Sequence, residues 1–511
     1  MLTDKEINKT LKNSVYDGAF VAVMEGVTSS FITPFAIALN VSIGLISVLS
    51  SVPQLLGAFF QLFSVKLSEF YKDRISLLVK LSLAHSVLWL PLILIPYLPG
   101  KYAFIIIIVV SLQNIISQTI GPIWNSVMGD AIPINQRGNY FGFRNSVTGI
   151  VSFFSAIFAG IILNATSPKN PFLGFSILFA IAFLSRLIAS IFKSKMTAPE
   201  QTQLIENKFS LLDFVRRMEK TNYGRFVSYI SIFKFSVSIA SPFFAVYLLK
   251  NLNLSYIEFT LITSAEIISS FLMVRIWGKL IDEKGTKSVL YITGMAIPLI
   301  PILWLFSSSI KYLFMVQIIS GALWAGFNLS ASNFIFDAVK PENRVRCISY
   351  YHLIEGVFVF LGAILGGLFI NYLPAFFFSS TILLVFLISG VLRMATSIIM
   401  LPQLKEARFI EIDIGGKTFF EKYLQIVPTQ GILFEVIGKT RKTIPRQWTN
   451  AKQTIRKYFG VKKEEKDKYN KKLVESLKKT IKRKEGRNSG DSAGMETIQK
   501  ITEEIEKGKK F

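Results

Sequence analysis

Two stretches decide how this sequence folds: GDAIPINQRGNYFGFRN at Gly129–Asn145 and DAVKPENRVR at Asp337–Arg346. Each places an acid seven residues before an arginine, Asp130 before Arg137 and Asp337 before Arg344. The first lies between two long apolar runs, YAFIIIIVVSLQNIISQTIGPIW before it and SVTGIVSFFSAIFAGIIL after it. The second pair follows the first by 207 positions. At the same offset Arg186 and Ser190 meet Arg393 and Ser397. Gly149, Ala156, Ile157, Gly160 and Asn164 likewise meet Gly356, Ala363, Ile364, Gly367 and Asn371. So many matches in chain order mark an internal duplication.

The apolar runs identify the solvent. A stretch of about 20 apolar residues spans a hydrocarbon layer of roughly 30 Å. In lipid the backbone must satisfy its own polar groups, so such stretches are helices. About twelve fall between Ser14 and Leu401 in this 511-residue chain, which is 51% hydrophobic and contains 45 phenylalanines. The first six run from 14 to 194 and the second six from 226 to 400. The expected fold is an all-α polytopic membrane protein with twelve transmembrane helices in two six-helix bundles. Its expected organisation is 1–194 for the first bundle, 195–225 for a polar linker, 226–401 for the second bundle and 402–511 for a basic tail, part helical or disordered. A single cysteine, Cys347, excludes an intrachain disulfide. The opening MLTDKEINKTLKN has no apolar core before a small-residue cleavage site, so the first span is itself the expected insertion signal.

The net charge of +24 does not point to nucleic acid once its location is considered. After Leu401 there are 27 lysines and arginines against 15 acids, a surplus of +12. Most of the remaining basic residues fall in alternate short loops: Lys66, Lys72, Arg74, Arg137, Arg144, Lys279, Lys284, Lys287, Arg344 and Arg346. The positive-inside rule then places both termini in the cytoplasm, most simply at the plasma membrane. Six spans per repeat is an even number, so both halves share one orientation. A binding site is expected between them near the membrane midplane.

The loop residues resemble the major facilitator superfamily over roughly residues 10–400. The motif of that family, approximately G-x-x-x-D-R/K-x-G-R/K-R/K, is matched by GKLIDEKGTK through Gly278, Asp282, Gly285 and Lys287. Its first-half counterpart, VKLSEFYKDR, has drifted: Glu69 stands for the aspartate, and Val65 and Lys72 replace glycines. The acid-x6-arginine elements also fit the family. The resemblance implies a rocker-switch secondary transporter. Helices 1, 4, 7 and 10 would line its cavity, helices 2, 5, 8 and 11 would pack between the halves, and the others would support from outside. The Gly-Pro signature of antiporters is missing from helix 5, which argues against proton-coupled drug efflux.

An ion at the bilayer centre costs roughly 2.5–3.5 kcal/mol on insertion scales, so a mid-span charge marks a pathway or a pair. Glu25 lies nine residues before Pro34 in the first helix, and Lys234 eight before Pro242 in the seventh. They are expected to oppose each other across a cavity, or to form a structural ion pair, or the lysine to snorkel. Asn114, Gln118 and Asn125 make one stripe on helix 4, and Gln317, Trp324 and Asn328 make the same stripe on helix 10. Such stripes line a cavity for a polar solute or bond neighbouring helices together. Glu25, Glu266 and Glu355 are the candidate proton carriers. Glu69, Asp130, Arg137, Arg186, Asp282, Asp337, Arg344 and Arg393 are expected at the cytoplasmic ends, as a charge-paired gate or a static brace.

There is no metal-ligand motif, no cofactor motif and no catalytic triad motif, so no enzyme is expected. GILFEVIGKT places six residues between Gly431 and Gly438, where a phosphate-binding loop has four. The basic, aromatic RQWTNAKQTIRKYFGVKK suits an anionic leaflet. Taken together, the residues predict a monomeric secondary transporter for a small solute, driven by a proton or solute gradient. A receptor or scaffold acting through its tail on the same fold is the alternative.

Overall fold

The computed structural model describes residues 4–71, 73–98, 103–132, 137–198, 210–339 and 343–406. The tail beyond Glu406, including GILFEVIGKT and RQWTNAKQTIRKYFGVKK, lies outside them. Twelve helices among the described residues are long and apolar enough to cross a membrane. The first six are Glu6–Ala38, Ile43–Gln61, Arg74–Tyr97, Ala103–Ala131, Tyr140–Thr166 and Phe172–Ser194. The second six are Asn222–Asn251, Tyr256–Lys284, Thr286–Leu303, Ile310–Ala338, Arg346–Tyr372 and Thr381–Gln403. They are numbered span 1 to span 12. The end carrying the linker is the linker end; the opposite end is the far end.

The duplication is visible in the packing. Span 1 packs on spans 5 and 6, and span 7 correspondingly on spans 11 and 12. Span 2 packs on span 4 as span 8 packs on span 10. The halves meet along two seams, span 2 against span 11 and span 5 against span 8. Glycines of the repeat sit at both. Gly160 faces the Thr260 side chain, and Gly367 faces Ser47. A side chain at either position would strike its neighbour, which is how small residues let membrane helices approach.

Spans 1 and 7 are both interrupted near a proline. Span 1 breaks after Thr28 and resumes at Ile32, just before Pro34. Span 7 breaks after Ser238 and resumes at Phe243, just after Pro242. Proline has no amide hydrogen and clashes with the preceding turn. In span 7 two carbonyls beside the break are bonded from span 12: Ser389 Oγ donates to Ser236 O at 2.6 Å and Arg393 Nη2 to Val237 O at 3.3 Å.

Side chains also close each bundle at the linker end. Thr10 accepts from the Thr197 amide at 3.0 Å and donates to its carbonyl at 3.3 Å. Asn222 makes both bonds to Lys405, at 2.9 and 2.8 Å. The chain after span 12 is therefore folded onto the bundle as far as Glu406, whose carboxylate accepts from the Lys287 amide at 2.8 Å. The second bundle thus reaches past the expected boundary at 401. The linker is not all free either. Leu211–Arg216 is a helix opened by a Ser210–Asp213 capping box, and its Phe214 is buried against Tyr223 and Tyr350. The Ser210 hydroxyl and amide hold the exposed Asp213 carboxyl below its usual range.

Span 12 begins at Thr381: Phe376 has φ 49°, and Ser380 caps the helix by accepting from the Ile382 amide. One local expectation is revised. The acid-x6-arginine elements straddle two helices instead of lying in loops. Asp130 and Asp337 are in the last turns of Ala103–Ala131 and Ile310–Ala338, while Arg137 and Arg344 begin the next helices.

The turn between spans 8 and 9 is one residue long. Gly285 has φ 90° and ψ 162°, and it both ends one helix and opens the next. Only glycine adopts that conformation without strain of order 1–3 kcal/mol. Gly285→Ala is therefore expected to cost about 1–3 kcal/mol in thermal unfolding, with the fold retained. The first-half loop solves the same turn differently: Asp73 caps span 3 by accepting from the Ile75 and Ser76 amides.

The apolar core is divided unequally. At the far end one cluster joins both halves, including Phe31, Phe35, Phe175 and Phe179 with Phe243, Phe259 and Trp304. Phe31 packs edge-on to Phe259, and Phe175 to Tyr256. Toward the linker end each bundle has its own cluster, Ile75 to Met196 in the first and Phe214 to Leu404 in the second. The bundles are thus sealed together at the far end and separately cored at the other.

Candidate functional site between the bundles

A cavity of about 260 Å³ lies between the halves at the level of the two helix breaks. Span 1 contributes Thr33, and span 2 contributes Ser50, Ser51 and Gln54. Lys234, Ser238, Ser241 and Pro242 come from span 7, and Glu355, Val359 and Ala363 from span 11. The breaks position Thr33, Ser241 and Pro242, since an unbroken helix would turn backbone polar groups inward on itself. Discontinuous helices at a repeat interface are a common way to build a polar site in a membrane.

The cavity has one charged corner. Lys234 Nζ lies 3.9 Å from Glu355 Oε1 and 4.9 Å from the centre of the Trp324 ring. His352 Nδ1 lies 3.6 Å from the other Glu355 oxygen. Both Lys234 and Glu355 remain partly exposed, with side chains 25% and 18% accessible, so this pair can exchange partners with a solute. A long ion-pair distance and a cation over an aromatic face leave the lysine donors open to a ligand.

A second set of charges is built into the first bundle. Lys193 of span 6 pairs with Asp17 of span 1 at 3.2 Å and donates to Ser82 of span 3 at 3.0 Å. Both ends of the pair are buried. Arg144 of span 5 lies over the Trp124 ring at 4.2 Å and donates to the Ser14 carbonyl at 3.3 Å. Arg186 of span 6 is buried, with Asp17 and Glu25 facing it from span 1.

A family model for the major facilitator superfamily matches residues 18–233 and again 226–421. The chain belongs to the major facilitator superfamily. The double match is the duplication seen in the 207-residue offset. Solved structures of transporters share the fold. A mutant of the nucleoside transporter NupG superposes with a TM-score of 0.63 at 14% identity, covering 77% of this chain and 100% of that one. A D-xylose–proton symporter gives 0.61 at 12%, covering 79% and 98%. An inward-facing, unoccupied bacterial homologue of the human lysosomal transporter Spinster gives 0.54 at 14%, covering 79% and 96%. No curated protein matches by sequence. The chain is thus an integral membrane protein of a transporter superfamily.

In this superfamily member the residues expected at the site separate into three groups. Lys234, Glu355 and Trp324 come together at the cavity. Glu25 is exposed, but it does not pair with Lys234: the partner of Lys234 is Glu355, and the charges facing Glu25 are Arg186 and Arg144 of its own bundle. The reason is rotation, since one residue of helix turns a side chain by about 100°.

The amides behave mostly as helix-to-helix contacts. Gln317 is buried and donates to Glu266 at 3.2 Å inside the seam of spans 8 and 10. Asn114 and Gln118 lie against Gly57 of span 2. Asn125 and Asn328 are exposed. None of these five amides lines the cavity described above.

The gate residues are partly reassigned. Asp130 pairs with Arg74 at 2.7 Å, and Asp337 accepts from Thr286 at 3.1 Å, both within one bundle. Asp282 is exposed at the turn before span 9. Arg186 and Arg393 lie inside their bundles, not at an open end, and Arg393 braces the break in span 7. The side chains of Glu69, Arg137 and Arg344 lie outside the described set. The sequence singled out neither Asp17 nor Lys193, and Arg144, counted there as a loop charge, stands inside span 5. Their nearness to span ends hid them, although their number in one half was a signal.

Proposed function

We propose that the chain is a secondary active transporter that moves a small polar solute by alternating access of the cavity between its bundles. The observation that carries this reading is the unequal core: one apolar seal shared at the far end, and a separate core in each bundle at the linker end. Two bundles that share an apolar core at one end alone can rock along their two seams, exposing a central site to each side in turn. The volume, just below the ~300–1,000 Å³ of drug-sized sites, suits a small solute. Hydroxyls, one lysine and one glutamate suit a polar one. Drive would come from a proton or solute gradient, with Glu25, Glu266 and Glu355 as the carboxylates to test. The basic loops support cytoplasmic termini at the plasma membrane.

The test has two stages. A thermal-shift screen of the purified chain finds the solute, because a ligand of the native state raises its melting temperature. Uptake of that solute is then measured in proteoliposomes for Ser47→Cys/Gly367→Cys in a Cys347→Ser background. Oxidation is expected to staple the far end and stop uptake, and reduction to restore it. Undiminished uptake by the stapled protein would overturn alternating access. If no solute moves and a cytosolic partner is lost on deleting residues 407–511, the receptor reading replaces this one.

A further inference from the structure

Arg186 and Arg393 occupy equivalent places in the two repeats, 207 residues apart. Both are almost fully buried, at 3% and 2% exposure. Their surroundings differ. Arg393 is held: Nε donates to Ser389 Oγ at 3.0 Å and Nη2 to the Val237 carbonyl at 3.3 Å. Ser389 is four residues before it on the same helix face. The residue four before Arg186 is Ala182, so the first repeat has no such hydroxyl. Nε of Arg186 is buried without a hydrogen-bond partner.

The charges that face Arg186 come from several elements. Span 1 presents Asp17 and Glu25, and span 3 presents His85. Lys193 lies two turns along its own helix, and Arg144 of span 5 shares the same two carboxylates. One carboxylate, Asp17, is taken by Lys193 at 3.2 Å. The other, Glu25, is exposed. Arg144, Arg186 and Lys193 against Asp17 and Glu25 leave one formal positive charge in excess. Buried charge is stable only when paired and hydrogen-bonded. A guanidinium is a planar fork that takes a carboxylate by two parallel bonds.

We propose that Arg186 is the anchor of an anion subsite in the first bundle, taking a carboxylate group that enters beside Glu25. The occupant completes the charge balance and supplies the acceptors that Ser389 and the Val237 carbonyl supply to Arg393. This subsite is separate from the Lys234–Glu355 corner and does not depend on which solute the central cavity carries.

Acetate is the probe, with acetamide as its uncharged counterpart. The full-length chain in detergent is titrated with each at constant ionic strength in sodium chloride, and binding is read as melting temperature and by calorimetry. Acetate is expected to bind saturably and acetamide not. Arg186→Gln is expected to weaken acetate by roughly tenfold to a hundredfold, the worth of a charge-assisted hydrogen bond. Ala182→Ser offers the guanidinium the intrahelical hydroxyl of the second repeat and is expected to weaken acetate less, with the fold retained. It also serves if Arg186→Gln does not fold. A series from acetate through lactate to succinate separates the sources. Affinity that rises with size identifies the carboxylate of a larger solute, and flat affinity identifies a free anion as counter-ion. No saturable acetate binding would overturn the proposal, as would equal affinity in Arg186→Gln, or equal affinity in Ala182→Ser where the glutamine variant fails to fold.

Discussion

Asp17→Ala is expected to be the most destabilising single substitution in the first bundle, at about 3–5 kcal/mol, the cost of leaving a buried charge without its partner. Lys193 Nζ and the Asp17 carboxylate are both almost inaccessible and 3.2 Å apart. Losing the acid leaves Lys193 with the Ser82 hydroxyl as its remaining hydrogen-bond partner, and with Arg186 and Arg144 as like-charged neighbours. The reverse change, Lys193→Met, is expected to cost less, because Asp17 keeps both arginines nearby. Joint replacement, Asp17→Leu with Lys193→Met, is expected to be milder than Asp17→Ala alone, since a matched apolar pair carries no desolvated ion. Melting curves of the three variants in one detergent check the order. An Asp17→Ala protein melting within a degree or two of the native chain would remove the pair from the list of stabilising contacts.

The largest functional loss is expected from Lys234→Met. Truncating one member of a shielded, ligand-facing charge pair costs about 2–5 kcal/mol, so solute affinity should fall at least roughly thirtyfold. Both residues are partly accessible, so folding should survive. Glu355→Gln should weaken binding as well, and by less than Lys234→Met if the solute brings a negative group to the lysine. Direct titration of the solute found by thermal shift, on each variant, measures both. Native affinity in Lys234→Met would exclude the charged corner from recognition.

The architecture was legible because hydropathy and duplication are chain-level signals that tertiary packing does not alter. All twelve spans stand where apolar runs place them, and Gly160 and Gly367 lie on opposite seams as their shared offset implies. The prolines near the breaks in spans 1 and 7 were readable too. Partnership was not. Glu25 and Lys234 stand nine and eight residues before their prolines, yet such spacing does not fix rotation, and Lys234 turns to Glu355 while Glu25 turns to its own bundle. The stripe of Gln317 was visible, but a stripe does not say whether it meets water or a neighbouring helix. Here Gln317 meets Glu266. Lys193 was not singled out at all, although span 6 carries it into contact with Asp17 and Ser82.

The far-end seal has a thermal consequence. It is made of aromatic and aliphatic side chains, Phe31, Phe175, Phe259 and Trp304 among them, from both halves. Opening it exposes apolar surface to water, which raises the heat capacity of the open state. Apolar attraction of this kind weakens on cooling. The balance between the two faces of the protein should therefore follow a curved, not a straight, van't Hoff plot, with the far end loosening at low temperature.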